Sequence, residues 1–448
     1  MTILDDAVAR YNRILTTSAF RDLGWAKAIQ EQMGSRHLMA NGRPVCPVLR
    51  PHFVTRRQYE SMAKAAETLY SAIDRVRQMA LATPALLSRM ELLPAEKMLA
   101  SIDPGYPQMA VTSFLDTQLQ NGNFQFYECD TDTSAGFVYA DALTEIFYDA
   151  PPVKEFRKKH KLAKMGGLKK LLQSLLLVYK GAGKKKFPRI AIVEFRPPFK
   201  NSPAPEHMLM AEYFRQHGYP TEVVTPDQLE YRNGVLSRGD FGIEIVIRKV
   251  SAQEFLFRFD LMHPLVRAYR EKTVCMVNSF RAEIVQKRSL LSLLTDEMIA
   301  GSFPAAERKA IREHIPWTRL VMPGKTTRNG KTVDLLEYIQ KHREKLVLRP
   351  NDTVTDMNSF RGWETDDAGW EKAIKTAQRS PYVVQERVDL PRAPFPVYQF
   401  GKMEVREMEI EVHPHLYLGH VDGCSTEIHD ATTNFSTLSG LAPTFLLV

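Results

Sequence analysis

The sequence has no uninterrupted apolar run of the ~18 or more residues that a membrane-spanning helix needs, so no membrane span is expected. Its four cysteines, Cys46, Cys129, Cys275 and Cys424, lie far apart and make no CxxC pair. That spacing argues against a zinc knuckle or a disulfide framework and points to a reducing cytoplasm. The opening stretch MTILDDAVARYNR is acidic and amphipathic and lacks the basic start and apolar middle of a secretory signal. GxGxxG, GxSxG, a Cys nucleophile with a linked His and nucleic-acid-binding motifs are all missing. A dinucleotide site, serine or cysteine hydrolysis and a nucleic-acid partner are therefore not expected. KGAGKKKF, residues 180–187, has the look of a P-loop, but its spacing fails and no Ser or Thr follows the lysines. Glycine is also missing from residues 349–361, where a strand-like run, Leu346-Val347-Leu348, hands Arg349 to a long polar stretch. Loops that close on phosphate usually carry glycine, so that backbone N–H groups can approach the anion.

What is present reads as a globular chain of two or three domains, with 448 residues, 44% hydrophobic and 25% charged. The net charge of +8 is uneven: residues 154–189 hold 13 Lys+Arg against one acid, Glu155, a net of +12. Within it Leu168, Leu171, Leu172, Leu175, Leu176 and Tyr179 fall at helical spacing, the pattern of a basic-faced linker helix docked on the body. An anionic partner at 154–189 is the other reading of that charge. Residues 1–104 read as a helical N-terminal region, with helices at 4–15, 57–81 and 95–101. Residues 105–150 contain a hairpin around Asn121-Gly122 and a helix at 139–148. Residues 151–188 form the basic linker, and 189–280 alternate strand and helix as a small Rossmann-like α/β unit. In 281–448, AEIVQKRSLLSLLTDE reads as one helix, followed by a helix in PAAERKAIREHI, strands at 346–349 and YVVQERV, and a strand-rich end.

Three acids stand out. Glu128 and Asp130 are two residues apart on one hairpin arm and share a face, and Asp116 is close enough to join them from the other arm. Converging carboxylates repel unless a cation sits among them, and hard oxygen ligands suit Mg²⁺; a solvent-facing acidic strand end is the plainer reading. Glu409, Glu411, His413 and His415 follow period 2, as on a metal-binding strand, but Pro414 interrupts the pattern and no further ligand is fixed by spacing.

FYECDTDTSAG, MVNSFRAEIVQKRSLLSLLTDE, IPWTR, LVLRPND with GWE, YVVQERV and NFSTLSGLAPTFLLV follow one another in the order and spacing of the circularly permuted ATP-grasp proteins. These are related to the ATP-grasp part of glutathionylspermidine synthase, and the resemblance runs from about residue 105 to the C-terminus. It implies an α/β ATP-grasp fold in circularly permuted order, a small Rossmann-like domain beside it, ATP and Mg²⁺ as cofactors, and acid and amine small-molecule substrates. ATP phosphorylates the carboxylate, and the amine displaces phosphate from the acyl phosphate. Carried over residue by residue, Asp116, Glu128 and Asp130 would hold the metal. Arg288 and Arg349 would hold phosphates and act in catalysis, with Asn351, Asp352 and Asn434 at the nucleotide. Gln385, Glu386 and Val388 would line the adenine slot.

The chain departs from the family pattern where phosphate is held. Phe114 stands where the family carries an Arg, Glu128-Cys129-Asp130 replaces Glu-x-Asn, and both phosphate-binding Lys positions are Arg. The glycine-rich loop is replaced by 353–358, Thr-Val-Thr-Asp-Met-Asn. Two expectations follow: an ATP-dependent carboxylate–amine ligase with an unusual cradle, or a degenerate ATP-grasp protein, a pseudoenzyme that binds or regulates a partner without turning over ATP.

Overall fold

The computed structural model describes residues 2–40, 42–120, 123–131, 136–165, 167–184, 186–196, 204–352, 358–431 and 438–448. The turn at Asn121-Gly122, the stretch 353–357 and Asn434 fall outside the described residues. The architecture is mixed α/β, with several sheets and many helices.

The helices of the N-terminal region form where their periodicity places them. Arg56–Ala82 starts from a capping box, with the Thr55 hydroxyl accepting from the Gln58 N–H, and buries Met62, Ala66, Leu69, Ile73 and Val76 on one face. Each of the larger side chains, Met62, Leu69, Ile73 and Val76, removed from water contributes about 1.5–3 kcal/mol. The helix packs against Ala305–His314, where Glu307 accepts from Arg75 and Ser71.

The hairpin consists of Thr112–Gln120 and Asn123–Asp130. It completes a sheet whose other strands come from the end of the chain, in the order Ser439–Ala442, His420–Asp430, Lys402–Tyr417, Thr112–Gln120, Asn123–Asp130. Arg392–Gln399 pairs along the first half of Lys402–Tyr417, and the hairpin strand Thr112–Gln120 along its second half, from Val412 to Tyr417. A second, four-stranded sheet is ordered Thr318–Leu320, Tyr382–Glu386, Leu346–Pro350, Phe360–Arg361, with helix Asp367–Ala377 packed on it through buried Trp370.

The small α/β unit is a parallel sheet in the order Cys275–Val277, Ile245–Lys249, Ile190–Glu194, Thr221–Val224. The stretch GIEIVIRKV, expected as one strand, divides at Glu244. The Glu244 carboxylate turns aside to accept from the Arg189 N–H at 2.8 Å and to pair with Lys186 at 2.6 Å. The leucine stripe is a helix, Leu168–Gly181, with Leu168, Leu171, Leu172, Leu175, Val178 and Tyr179 buried. Basic residues of this region pair at the surface, Lys164 with Glu145 and Lys170 with Asp422. No helix of the described residues is long and apolar enough to cross a membrane.

One expected helix is broken. AEIVQKRSLLSLLTDE forms Glu283–Gln286 and Ser289–Leu294, separated at Lys287, whose ψ of 129° is extended. The break lets the Arg288 N–H donate to the Asn351 carbonyl and the Ser289 N–H to the Asn351 side chain at 2.8 Å. Tertiary hydrogen bonds to the end of strand Leu346–Pro350 thus override local helix propensity.

Candidate nucleotide and carboxylate site

A cavity of about 690 Å³ lies between the hairpin-bearing sheet and the four-stranded sheet. Asp116, Tyr127, Glu128, Glu411, Glu427 and His429 come from the first, Arg349, Gln385 and Glu386 from the second, and Val388 from the chain just beyond strand Tyr382–Glu386. That volume is within the ordinary range for a small-molecule site. Nine carboxylates and four arginines line it among the described residues, so the wall as a whole favours cations over anions.

The register explains which side chains meet. Asp116 is opposite Glu128 and Phe114 opposite Asp130, so these four project from one face, as the sequence spacing implied. Between Asp116 and Thr117 the register slips: Glu128 pairs with Asp116 and Phe126 with Thr117, leaving Tyr127 as the extra residue of a bulge. The bulge turns Tyr127 and Glu128 toward the same cavity, which strict alternation forbids. The Tyr127 hydroxyl donates to Glu411 and its carbonyl accepts from Gln385 Nε2 at 3.2 Å, joining the two sheets. Burial, reinforced by the negative charges of Glu411 and Asp116, holds the Tyr127 phenol well above its ordinary pKa. The signal for Tyr127 and for Trp363, which also lines the cavity, was not in spacing but in a bulge and a loop course that the chain adopts only when folded.

Glu128 is buried at 8% exposure and held by two guanidinium groups. Arg288 Nη2 donates to its Oε1 at 2.7 Å, and Arg349 Nη2 to its Oε2 at 2.5 Å. Arg288 is itself almost fully buried and also donates from Nη1 to the carbonyls of Pro350 and Asp352, at 2.9 and 3.1 Å. Asp116 faces His413, whose Nδ1 is 2.8 Å from its Oδ1. Burial opposes a charge on His413, but the Asp116 carboxylate outweighs it, helped by Glu427 and Glu411, and lifts its pKa to about 9. His415 is the reverse case: burial, with charged His413 beside it, presses its pKa down to about 3. It packs edge-on to Phe114 with ring centroids 4.7 Å apart, and Phe114 itself is buried.

The sequence candidates therefore divide. Asp116, Glu128, Arg349, Gln385, Glu386 and Val388 line the cavity, and Arg288 meets it through Glu128. Asn351 is 1% exposed, its amide donating to the Met90 carbonyl and its oxygen accepting from Ser289. Asp352 pairs with Lys287, whose Nζ also donates to buried Glu96 at 2.9 Å. Neither Asn351, Asp352 nor Asp130 is on the cavity wall among the described residues. Magnesium does not fit this arrangement. Both oxygens of Glu128 are given to guanidinium groups and Asp116 to a charged imidazole, and among the described residues no group of three His, Cys, Asp or Glu is placed to hold a metal ion.

No protein-family model matches the sequence, and no curated protein does. The fold, however, is that of a glutathione synthetase-like effector from Globodera pallida, solved in its apo form. The two superpose with a TM-score of 0.60 at 12% identity, over 97% of this chain and 99% of that one. A putative gamma-glutamylcysteine synthetase from Methylobacillus flagellatus gives a TM-score of 0.45 at 9% identity over 88% of each chain. A RimK-domain ATP-grasp protein from Sphaerobacter thermophilus gives 0.26 at 14% identity, over 53% of this chain and 90% of that one. The last two superpose too loosely to carry an argument. The likeness is one of fold, a mixed α/β architecture as the sequence led one to expect.

Proposed function

We propose that the chain is an ATP-dependent carboxylate–amine ligase of the circularly permuted ATP-grasp type. The observation that carries this reading is convergence: Asp116 and Glu128 from the hairpin, Arg349 from one strand and Gln385 to Val388 from the next all line one cavity of nucleotide-accommodating size. The permuted order is supported by the hairpin at 112–130, which completes a sheet made otherwise of residues 392–442.

In this reading strand Tyr382–Glu386 and the residues to Val388 present backbone to the adenine edge, and Arg349 meets the phosphates. The substrate carboxylate attacks the terminal phosphorus of ATP, ADP leaves, and the amine then displaces phosphate from the acyl phosphate. Arg288 stands behind Glu128, whose carboxylate it holds at 2.7 Å, and supplies positive charge from the buried side of the site. No step is assigned to magnesium.

A second reading, a degenerate ATP-grasp protein that binds without turnover, is favoured by Phe114. Where the resemblance implies a cation that stabilises transferred charge, the chain has a buried aromatic ring packed on neutral His415. Phosphate release from ATP with a panel of acids and amines separates the two. The ligase reading expects turnover with at least one pair and its loss in Arg349→Gln; no turnover by the folded wild type with any pair leaves the second reading.

A further inference from the structure

We propose that Glu128 is the built-in counter-ion of an oxyanion subsite, and that a multivalent phosphate entering the cavity replaces its carboxylate on Arg349. The proposal deepens the nucleotide-site reading and takes the location of the site from it.

The geometry has three parts. The two oxygens of Glu128 are shared between two guanidinium groups, at 2.7 and 2.5 Å, as two oxygens of one phosphoryl group are shared between two cations. The two arginines are unequal. Arg288 has a side chain only 1% exposed and is fixed by the carbonyls of Pro350 and Asp352, whereas Arg349 is 13% exposed and stands on the cavity wall. An entering anion therefore meets Arg349 first, while Arg288 keeps the site cationic behind it. Finally, the backbone around Glu128 is pinned on its own account: the Tyr127 carbonyl accepts from Gln385, and the Tyr127 hydroxyl donates to Glu411. Release of the Glu128 carboxylate is then a rotation of one side chain, without loss of strand pairing.

Selectivity comes from the two guanidinium forks, against the charge of the wall. The nine carboxylates repel a multivalent anion more strongly than a monovalent one, and Glu128, one of the nine, already supplies the arginines with one negative charge. A monovalent anion offers no more than Glu128 does. A polyphosphate brings several charges and oxygens to the same pair of forks, and it displaces the carboxylate because it outbids it in Coulomb attraction and in hydrogen bonds together.

The test is calorimetric titration with inorganic tripolyphosphate in the presence of EDTA. Glu128→Gln removes the competing charge while keeping the shape, and should bind tripolyphosphate about ten-fold or more tighter than wild type. Adding Arg349→Gln to that variant should cancel the gain. Glu128→Asp keeps the charge but is one methylene too short to span both arginines, so it should gain a smaller factor, and it serves if the Gln variant does not fold. Equal or weaker binding by the folded Glu128 variants overturns the proposal, since Glu128 is then a fixed brace. The two claims fail separately: tighter tripolyphosphate binding in a protein that never turns over ATP leaves the subsite and removes the ligase, whereas turnover with no gain in the variants does the opposite.

Discussion

His413 stands across the strand pair from Asp116, with its Nδ1 2.8 Å from the carboxylate, in a position where burial alone would leave the imidazole neutral. The carboxylate reverses that preference and makes the pair an ion pair at neutral pH. A period-2 row of Glu and His had suggested a metal strand; the structure uses His413 as a counter-charge and His415 as a neutral packing ring.

The pair makes stability depend on pH in a definite direction. Its folded pKa of about 9 lies above the ordinary 6.5, so its contribution is complete below pH 6.5 and is lost as pH rises through about 9. The contribution is of the order of 3 kcal/mol at most. Denaturation of wild type and His413→Asn between pH 6 and 9.5 checks this. The gap between them should be widest at the acid end and shrink toward the alkaline end; parallel curves would refute the ion pair.

Restoring the arginine that the resemblance implies at position 114 should not restore a cation site. Phe114 is 7% exposed and packed between His415 and Phe137. A guanidinium there would be buried next to an imidazole that is already neutral because charge is disfavoured. Phe114→Arg is expected to cost about 3 kcal/mol or more, seen as a lower midpoint in urea. Unchanged stability would mean that the loop and strand ends make room for the charge.

Lys287 is expected to be structural. Its side chain is 3% exposed, with the ammonium between Glu96 and Asp352, and these two charges outweigh burial to keep its pKa above the ordinary lysine value. Lys287→Met leaves Glu96 buried without its cation and should destabilise by about 3–5 kcal/mol. Adding Glu96→Leu should recover more than half of that loss, because an apolar pair replaces the ionic one. Additive destabilisation in the double variant would show that the two residues do not act on each other.

Much of this site was legible before folding. The alternation in FQFYECD put Glu128 and Asp130 on one face, and Asn121-Gly122 marked the hairpin that sets Asp116 against Glu128. The apolar run Leu346–Leu348 gave the strand that delivers Arg349, and YVVQERV the strand that delivers Gln385. What stayed hidden depends on contacts between distant segments. The periodicity of Ile284, Val285, Leu290, Leu291 and Leu294 is continuous through Lys287, so only the Asn351 side chain, 62 residues away from Ser289, reveals the break. The bulge at Tyr127 has no local signature. Nor did spacing show that Arg288 and Arg349, read as phosphate ligands, and Glu128, read as a metal ligand, are one another's partners; opposite charges that converge on one place pair across the fold.

The measurement that tests the account most directly is calorimetric titration of the purified chain with a non-hydrolysable ATP analogue, alongside Arg349→Gln. A nucleotide site built on Arg349 and the strand at Gln385 predicts micromolar binding by wild type and about ten-fold or greater weakening in the variant. No detectable binding by the folded wild type at millimolar analogue would contradict it and leave the cavity to some other ligand.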